Sequence, residues 1–310
     1  SDLSNAGADA VKFQTRNNKF LFSEDAYKKN YNSENAFGKT YGEHREFLEF
    51  SPEEIVILKK ECERCNVKFM STPFDEPSLE LLCDIDVDHI KVASFDIGNL
   101  PFLEKIAKTK LPVVISTGGA NKKQIKDSID LICRTHNDLA VLHCVSEYPC
   151  PPEKLSLLNI NFLEKNFKNI SVGLSDHFNG ISSGPIAYML GARVFEKHVT
   201  MDRSWKGSDH CFALSSHGFS QFVRDIRRTP VMLAQKLKDD LGNERVFQRL
   251  GKSIIASRDL PVGTKLNLDN LSGKIFEDTF IPVRESSSII GSNLKSFKKA
   301  GEPILFSDLG

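Results

Sequence analysis

Residues 172–177 read Val-Gly-Leu-Ser-Asp-His and residues 194–198 read Val-Phe-Glu-Lys-His. Each is a short apolar run that turns polar at its end. A strand shows alternate side chains to one face, so Ser175 shares a face with His177, and Glu196 with His198. If two such strands lie side by side in a barrel, both imidazoles converge at one mouth. Two neutral imidazoles with oxygens nearby suit a divalent metal that keeps positions open for substrate. Taken alone, the pair fits two unrelated polar strand ends equally well.

The same pattern extends outward along the chain. Apolar strand candidates fall at 10–15, 67–72, 89–94, 113–117, 140–145, 170–175 and 194–199. Amphipathic helical stretches lie between them, at 52–65, 76–83, 100–108, 122–134, 159–166 and 181–190. Repeated strand–helix units predict a parallel sheet with helices outside. The expected fold is α/β, a (β/α)₈ TIM barrel, which needs eight strands where seven are visible. Residues 1–8 read as the tail of a helix running into the strand at 10–15. The expectation is therefore that the first strand is missing from this chain.

Each strand candidate ends in polar chemistry: Lys12 and Gln14, Ser71 and Thr72, Lys91 and Ser94, Ser116 and Thr117, His143 and Ser146, Ser175 and His177, Glu196 and His198. Catalytic groups of such barrels sit at the C-terminal strand ends. Lys12 and Lys91 would supply charge to a phosphate or carboxylate, and Thr72, Ser94, Ser116 and Ser175 would supply donors. No P-loop is present, and Thr117-Gly118-Gly119 is too short for a dinucleotide fingerprint. A small phosphorylated acid plus a metal is the expected cargo. The loop 202–210 is placed to fold over the mouth and present Asp209 to substrate hydroxyls. Trp205, the only tryptophan, either stacks on a sugar face or pins that loop.

The bulk numbers exclude several classes. The 310 residues suffice for one large domain and one small one. The 41 basic and 41 acidic residues cancel, so no global field favours nucleic acid or an anionic membrane. No apolar run is long enough to cross a bilayer. Residues 1–7 have neither the basic start nor the apolar core of a secretory signal. Seven scattered cysteines predict reduced thiols and a cytoplasmic protein. Cys62 and Cys65 share a helix-like stretch with no second pair, so they read as helix packing. After Leu241 the strand–helix rhythm ends. Residues 251–310 carry short β-like pieces at 252–257 and 274–276 with turn residues between. The predicted division is 1–240 for the barrel and 251–310 for a small β-rich domain, joined by a helical connection around 229–241.

Eight ordered motifs carry a family resemblance: AGADAVKFQT (6–15), FMSTPFD (69–75), KVAS (91–94), ISTG (115–118), LHCVSEYP (142–149), VGLSDH (172–177), GARVFEKH (191–198) and WKGSDH (205–210). They resemble the sialic acid synthase family, which condenses phosphoenolpyruvate with N-acylated amino sugars to make nonulosonic acids. GKTYGEHREFLEFS (38–51) looks more like the animal-type members, and the stretch from Lys252 is similar to their antifreeze-like (SAF) domain.

The resemblance implies that His177 and His198 hold manganese or magnesium and, with Lys91, form the catalytic set. It implies that Lys12, Thr72, Lys91, Ser94, Ser116 and Ser175 bind phosphoenolpyruvate, and that Gln14, Tyr148 and Asp209 face the amino sugar. Asp96, Ser146 and Glu196 complete the expected substrate-binding set. It also implies a domain-swapped homodimer in which the small domain caps the partner's mouth.

Three departures are visible. The family's acidic residue on the first strand has no counterpart here. Phe95-Asp96 stands where many members have Gly-Glu. Lys274-Ile275-Phe276-Glu277 stands where many bacterial members have Lys-Arg-Pro-Gly. The alternatives are a legionaminic or pseudaminic acid synthase, or a truncated non-catalytic paralogue.

Overall fold

Seven parallel strands hydrogen-bond in chain order. They are β1 (Ala10–Thr15), β2 (Lys68–Pro73), β3 (His89–Val92), β4 (Val113–Ser116), β5 (Leu139–Cys144), β6 (Ser171–Asp176) and β7 (Val194–Lys197). The computed structural model describes residues 1–235 and 244–310. Helices follow the strands, as at Pro52–Arg64, Glu76–Asp84, Leu100–Thr109, Lys122–Cys133, Asn159–Asn166 and Ser183–Met189.

Their starts are written in the sequence. Ser51 and Glu54 form a reciprocal capping box, as do Thr40 and Glu43, and as do Asn121 and Gln124. The apolar faces then bury against the outer side of the sheet. Phe69, Ile90 and Ile115 from the strands meet Leu82, Ile106 and Ile129 from the helices, all almost fully buried. The inner side has its own small apolar cluster of Val114, Ala140 and Leu142, with Met70 and Val194. At Gly173 the strands crowd: a Cβ there would lie 2.1 Å from the carbonyl oxygen of Val194.

The sheet curls as a half-barrel. The eight-stranded closure is not reached among the described residues: β1 and β7 are its two edges. Asp2–Asn5 is helical, as expected for the stretch before β1. The helix Ser216–Leu233 follows the last strand, and Arg227 ties it to the start of β1 through the Gly7 carbonyl (2.9 Å) and the Asp9 carboxylate (3.1 Å).

The chain divides into two units, Ser1–Leu233 and Ala234–Gly310. The expected boundary at residue 240, with the 236–241 part of the expected helical connection, lies outside the described residues. In the second unit β8 (Ser253–Ala256) pairs antiparallel with β9 (Leu271–Lys274). Short bridges such as Ile255 with Pro303 and Leu260 with Lys298 extend this pairing around a core of Ile254, Leu260, Leu266, Ile289 and Ile304. One expected element moves. The strand placed at 274–276 ends at Lys274, because Gly273 and Leu271 pair with β8 while Phe276 turns to pack edge-on against Phe280 at 5.1 Å. No helix among the described residues is long and apolar enough to cross a membrane.

Candidate active site

A cavity of about 790 Å³ lies between the edge strands β1 and β7, lined from Asp9 and Arg193 at their starts to Gln14, His198 and Asp209 at their ends, with Lys12 and Glu196 between. Strand alternation places these side chains. On β5, Ala140, Leu142 and Cys144 face inward, while His143 faces the helices and its Nε2 meets the Leu155 carbonyl at 2.7 Å. Ser71 likewise faces outward and shares a 2.8 Å hydrogen bond with Thr15. Thr117 Oγ1 donates to the Leu142 carbonyl at 3.0 Å. So three of the polar strand-end residues, Ser71, Thr117 and His143, serve the scaffold.

The centre of the site is Glu196. Its carboxylate lies 3.8 Å from Lys91 Nζ and 4.0 Å from Lys12 Nζ, and it accepts from Ser175 Oγ at 3.0 Å. Lys91 is buried, and its ammonium donates to Ser116 Oγ (2.7 Å) and to the Val92 carbonyl (2.9 Å). Burial lowers the Lys91 pKa against the pull of Glu196. Burial alone would raise the Glu196 carboxyl, but Lys12 and Lys91 bring it down to about 2.

A folded-state pKa below the ordinary 4.5 contributes stability that is present above that value and lost as pH falls through about 2. Glu196→Gln should therefore differ most from the native chain in thermal midpoint near neutral pH. The difference should close as pH approaches 2. A gap that stays constant from pH 7 to pH 2 would contradict this account.

A second group adjoins the first. The rings of His177 and His198 lie 5.3 Å apart, and the Tyr148 ring packs 4.1 Å from His177 and 6.2 Å from His198. His177 Nδ1 meets the Val145 carbonyl at 2.8 Å, which commits that nitrogen as the donor and leaves Nε2 with the lone pair. Burial lowers the His177 pKa, but Cys144 and the Val145 carbonyl outweigh it and leave the net shift upward. His198 goes the other way: burial brings it down to about 4, against the pull of Asp209, whose carboxylate lies 3.4 Å from Nδ1. Tyr148 is pushed up to about 12, by burial first and then by nearby negative groups.

These donors suit an open divalent site better than a closed structural one. Two imidazoles are present, one oriented by a carbonyl and one held neutral. Among the described residues, no group of three or more His, Cys, Asp and Glu side chains is placed to hold an ion. The remaining positions would fall to substrate or water oxygens.

A third group is built on backbone approach. Ser94 Oγ accepts from the Gly118 amide at 2.9 Å. A Cβ on Gly118 would lie 2.2 Å from Ser146 Oγ and 2.8 Å from Ser94 Oγ, so the position is closed to any larger residue. Thr72 is buried on the inner face, level with Gln14 across the β1–β2 ladder. Gln14 is exposed and its oxygen accepts from Arg16 at 2.5 Å. Asp96 stands on the 3₁₀ turn after β3, bonded to Asn99 at 3.0 Å, and burial raises its pKa. Gln14 and Asp96 thus flank the central network without joining it.

Two loops close the mouth. Gly207 N donates to Asn35 Oδ1 at 3.0 Å, and Lys206 Nζ reaches the Ala36 carbonyl at 2.5 Å and lies over the Phe37 ring at 4.9 Å. These contacts pin the loop that carries Asp209. Trp205 remains half exposed with its edge against His210 at 5.7 Å, so it is not the pin.

Sequence reasoning missed two contributors. Cys144 faces inward between Leu142 and Ser146, and its thiol lies 3.9 Å from His177 Nδ1. Burial raises the thiol pKa, but His177, Ser94 and Lys91 outweigh it and hold it below its ordinary value. Counting alternate residues from Leu142 finds it. The Arg16–Glu49 pair, at 2.9 Å and 33 residues apart, holds the long 16–50 excursion against β1 and gives no local signal.

Comparisons with known proteins place the whole chain. A model described as the NeuB family matches residues 2–238. The human N-acetylneuraminate-9-phosphate synthase is 35% identical over 289 residues, 93% of this chain and 80% of that protein. The N,N'-diacetyllegionaminic acid synthase of Legionella pneumophila is 33% identical, over 98% of this chain and 87% of that protein. A crystal structure of N-acetylneuraminic acid (sialic acid) synthetase from Leptospira borgpetersenii serovar Hardjo-bovis, in complex with citrate, superposes with a TM-score of 0.68. Its sequence is 29% identical, covering 77% of this chain and 80% of that one.

Proposed function

The chain belongs to the NeuB family, and on that premise we propose that it is a sialic acid synthase-type enzyme. In this reading it condenses phosphoenolpyruvate with N-acetylmannosamine, or the 6-phosphate of that sugar, to a nonulosonic acid and releases inorganic phosphate. One observation supports this most: two lysines, two serine hydroxyls and one carboxylate form a single network beside a facing pair of histidines. A legionaminic acid synthase is the second reading, favoured by the similarity to the Legionella protein. A pseudaminic acid synthase is a weaker third.

In the mechanism, Lys12 and Lys91 hold the phosphate and carboxylate of phosphoenolpyruvate, with Ser116, Ser175, Ser94 and Thr72 as donors. Glu196 stays ionised and holds the Lys12 and Lys91 ammonium groups on its two sides before substrate arrives. Gln14, Asp96, Ser146, Tyr148 and Asp209 bind and orient the open-chain amino sugar. Carbon 3 of phosphoenolpyruvate attacks the aldehyde carbon, water adds at carbon 2, and phosphate leaves by C–O cleavage. Lys91 stabilises the charge that moves onto the phosphate as it leaves. Holding both substrates in one cavity supplies part of the barrier reduction. A manganese or magnesium ion held by His177 and His198 would supply Lewis-acid polarisation of the aldehyde oxygen.

In this reading residues 251–310 are an antifreeze-like SAF domain that caps the partner's barrel mouth in a domain-swapped homodimer, and the enzyme works in the cytoplasm. The small β-rich second unit supports the first part.

The test is product formation with manganese, phosphoenolpyruvate and each sugar supplied separately: N-acetylmannosamine, its 6-phosphate and the 2,4-diacetamido sugars. Phosphate release together with a 2-keto acid, with one sugar and abolished by chelator, is expected. Silence with every sugar, from folded protein that binds manganese, would overturn the proposal.

A further inference from the structure

Strand alternation leaves a second pair of side chains on the opposite face of β6 and β7. Asp176 lies between Ser175 and His177, and Lys197 lies between Glu196 and His198. The two are register partners across the ladder, and Lys197 Nζ lies 2.6 Å from Asp176 Oδ2. Their side chains are 0% (Asp176) and 2% (Lys197) exposed. Asp176 Oδ2 also accepts from Ser183 Oγ at 2.5 Å, and Oδ1 accepts from the Phe178 amide at 2.9 Å. Lys197 Nζ donates to the Phe178 carbonyl. The pair therefore grips both backbone groups of the residue that follows His177. The Lys197 ammonium also lies 5.8 Å from the ring centroids of Phe178 and Phe222.

A buried ion pair is a poor source of net stability, because desolvation offsets the attraction and apolar residues of similar volume often serve as well. A fully satisfied buried network instead favours one geometry over its neighbours. The geometry at stake here is that of the two strand ends bearing the imidazoles. We propose that Asp176 and Lys197 are positioning residues that set the spacing of His177 and His198, and through it the affinity of the site for a divalent cation. This rests on the metal reading given above. Partners that orient metal ligands from behind change metal affinity by about 10- to 100-fold.

The test uses Mn²⁺ as probe, titrated against the full chain by the paramagnetic resonance of the free ion. Affinities are compared per folded molecule, with circular dichroism measured on the same samples. Asp176→Asn keeps the shape and removes the charge. It should weaken Mn²⁺ binding at least 10-fold, and raise the metal concentration for half-maximal turnover more than it lowers kcat at saturating metal. Asp176→Leu combined with Lys197→Met removes the pair without leaving a lone buried charge. The thermal midpoint should fall, since Ser183 Oγ and the Phe178 amide lose their acceptor, and the molecules that remain folded should still bind Mn²⁺ at least 10-fold more weakly. A double variant that binds Mn²⁺ within twofold of the native chain overturns the inference and leaves the pair as scaffold. A native chain that binds no Mn²⁺ overturns the metal reading itself, and the two failures are told apart by that measurement.

Discussion

His177→Ala is expected to remove tight Mn²⁺ binding and to lower turnover by about 100- to 1,000-fold, the scale seen when one preorganised electrostatic group is lost. The ring is 4% exposed, its Nδ1 is committed to the Val145 carbonyl, and it packs between Tyr148 and His198. Alanine removes the donor and frees Tyr148 from the contact that sets its ring. Two effects then combine, because Tyr148 is assigned to the amino sugar. The Michaelis constant for the sugar should rise together with the loss of kcat. His177→Gln keeps much of the volume and separates the contributions: sugar binding should partly recover while metal affinity stays low. Metal titration and steady-state kinetics check both. Full turnover in His177→Ala, insensitive to chelator, would remove the histidine pair from the mechanism.

The second large effect belongs to Lys91. Lys91→Met keeps the length of the stem and removes the ammonium. Lys91 is 3% exposed, with its charge already disfavoured by burial and two of its three donors held by Ser116 and the Val92 carbonyl. Turnover should fall by about 100- to 1,000-fold if, as proposed, the charge meets the departing phosphate. The thermal midpoint should fall modestly and far less than turnover: an expensive buried charge is gone, but Glu196 is left with Lys12 alone to offset its carboxylate. The measurement is a split between phosphate release and thermal midpoint. A variant that loses both in proportion would make Lys91 a structural residue. Retention of more than about a tenth of native turnover would be inconsistent with the electrostatic role assigned here.

Much of this architecture was legible in the chain because two periodicities carry it. Strand 10–15 and helix 159–166 fall where the apolar pattern places them, and the other strands shift by a residue or two. The site was legible for the same reason: inward positions at strand ends can be counted, which brings Ser175, Glu196, His177 and His198 together. Counting was applied too loosely at Ser71, Thr117 and His143, which are polar and near strand ends but serve the scaffold. A polar residue at a strand end is informative only once its parity is known. The eighth strand of a closed barrel is not among the described residues, where β1 and β7 stand as edges. Arg16 with Glu49, and Lys206 with Ala36, were not legible at all. Their partners are 33 and 170 residues away, and nothing local distinguishes them from solvated charges. The 274–276 strand failed because short alternation at a turn fits two registers, and pairing with β8 selects the earlier one.

The contacts of Lys206 and Gly207 with residues 35 and 36 have a kinetic consequence. From β2 onward each strand–helix unit closes over a short stretch of chain, so that part of the sheet can assemble stepwise from neighbours. The mouth cannot. Its two loops are separated by 170 residues or more, so they can meet only after the strands between them have paired. The loop that presents Asp209 is therefore expected to settle last. On refolding, or emerging from a ribosome, the chain would recover its helical signal before Asp209 reached its place beside His198.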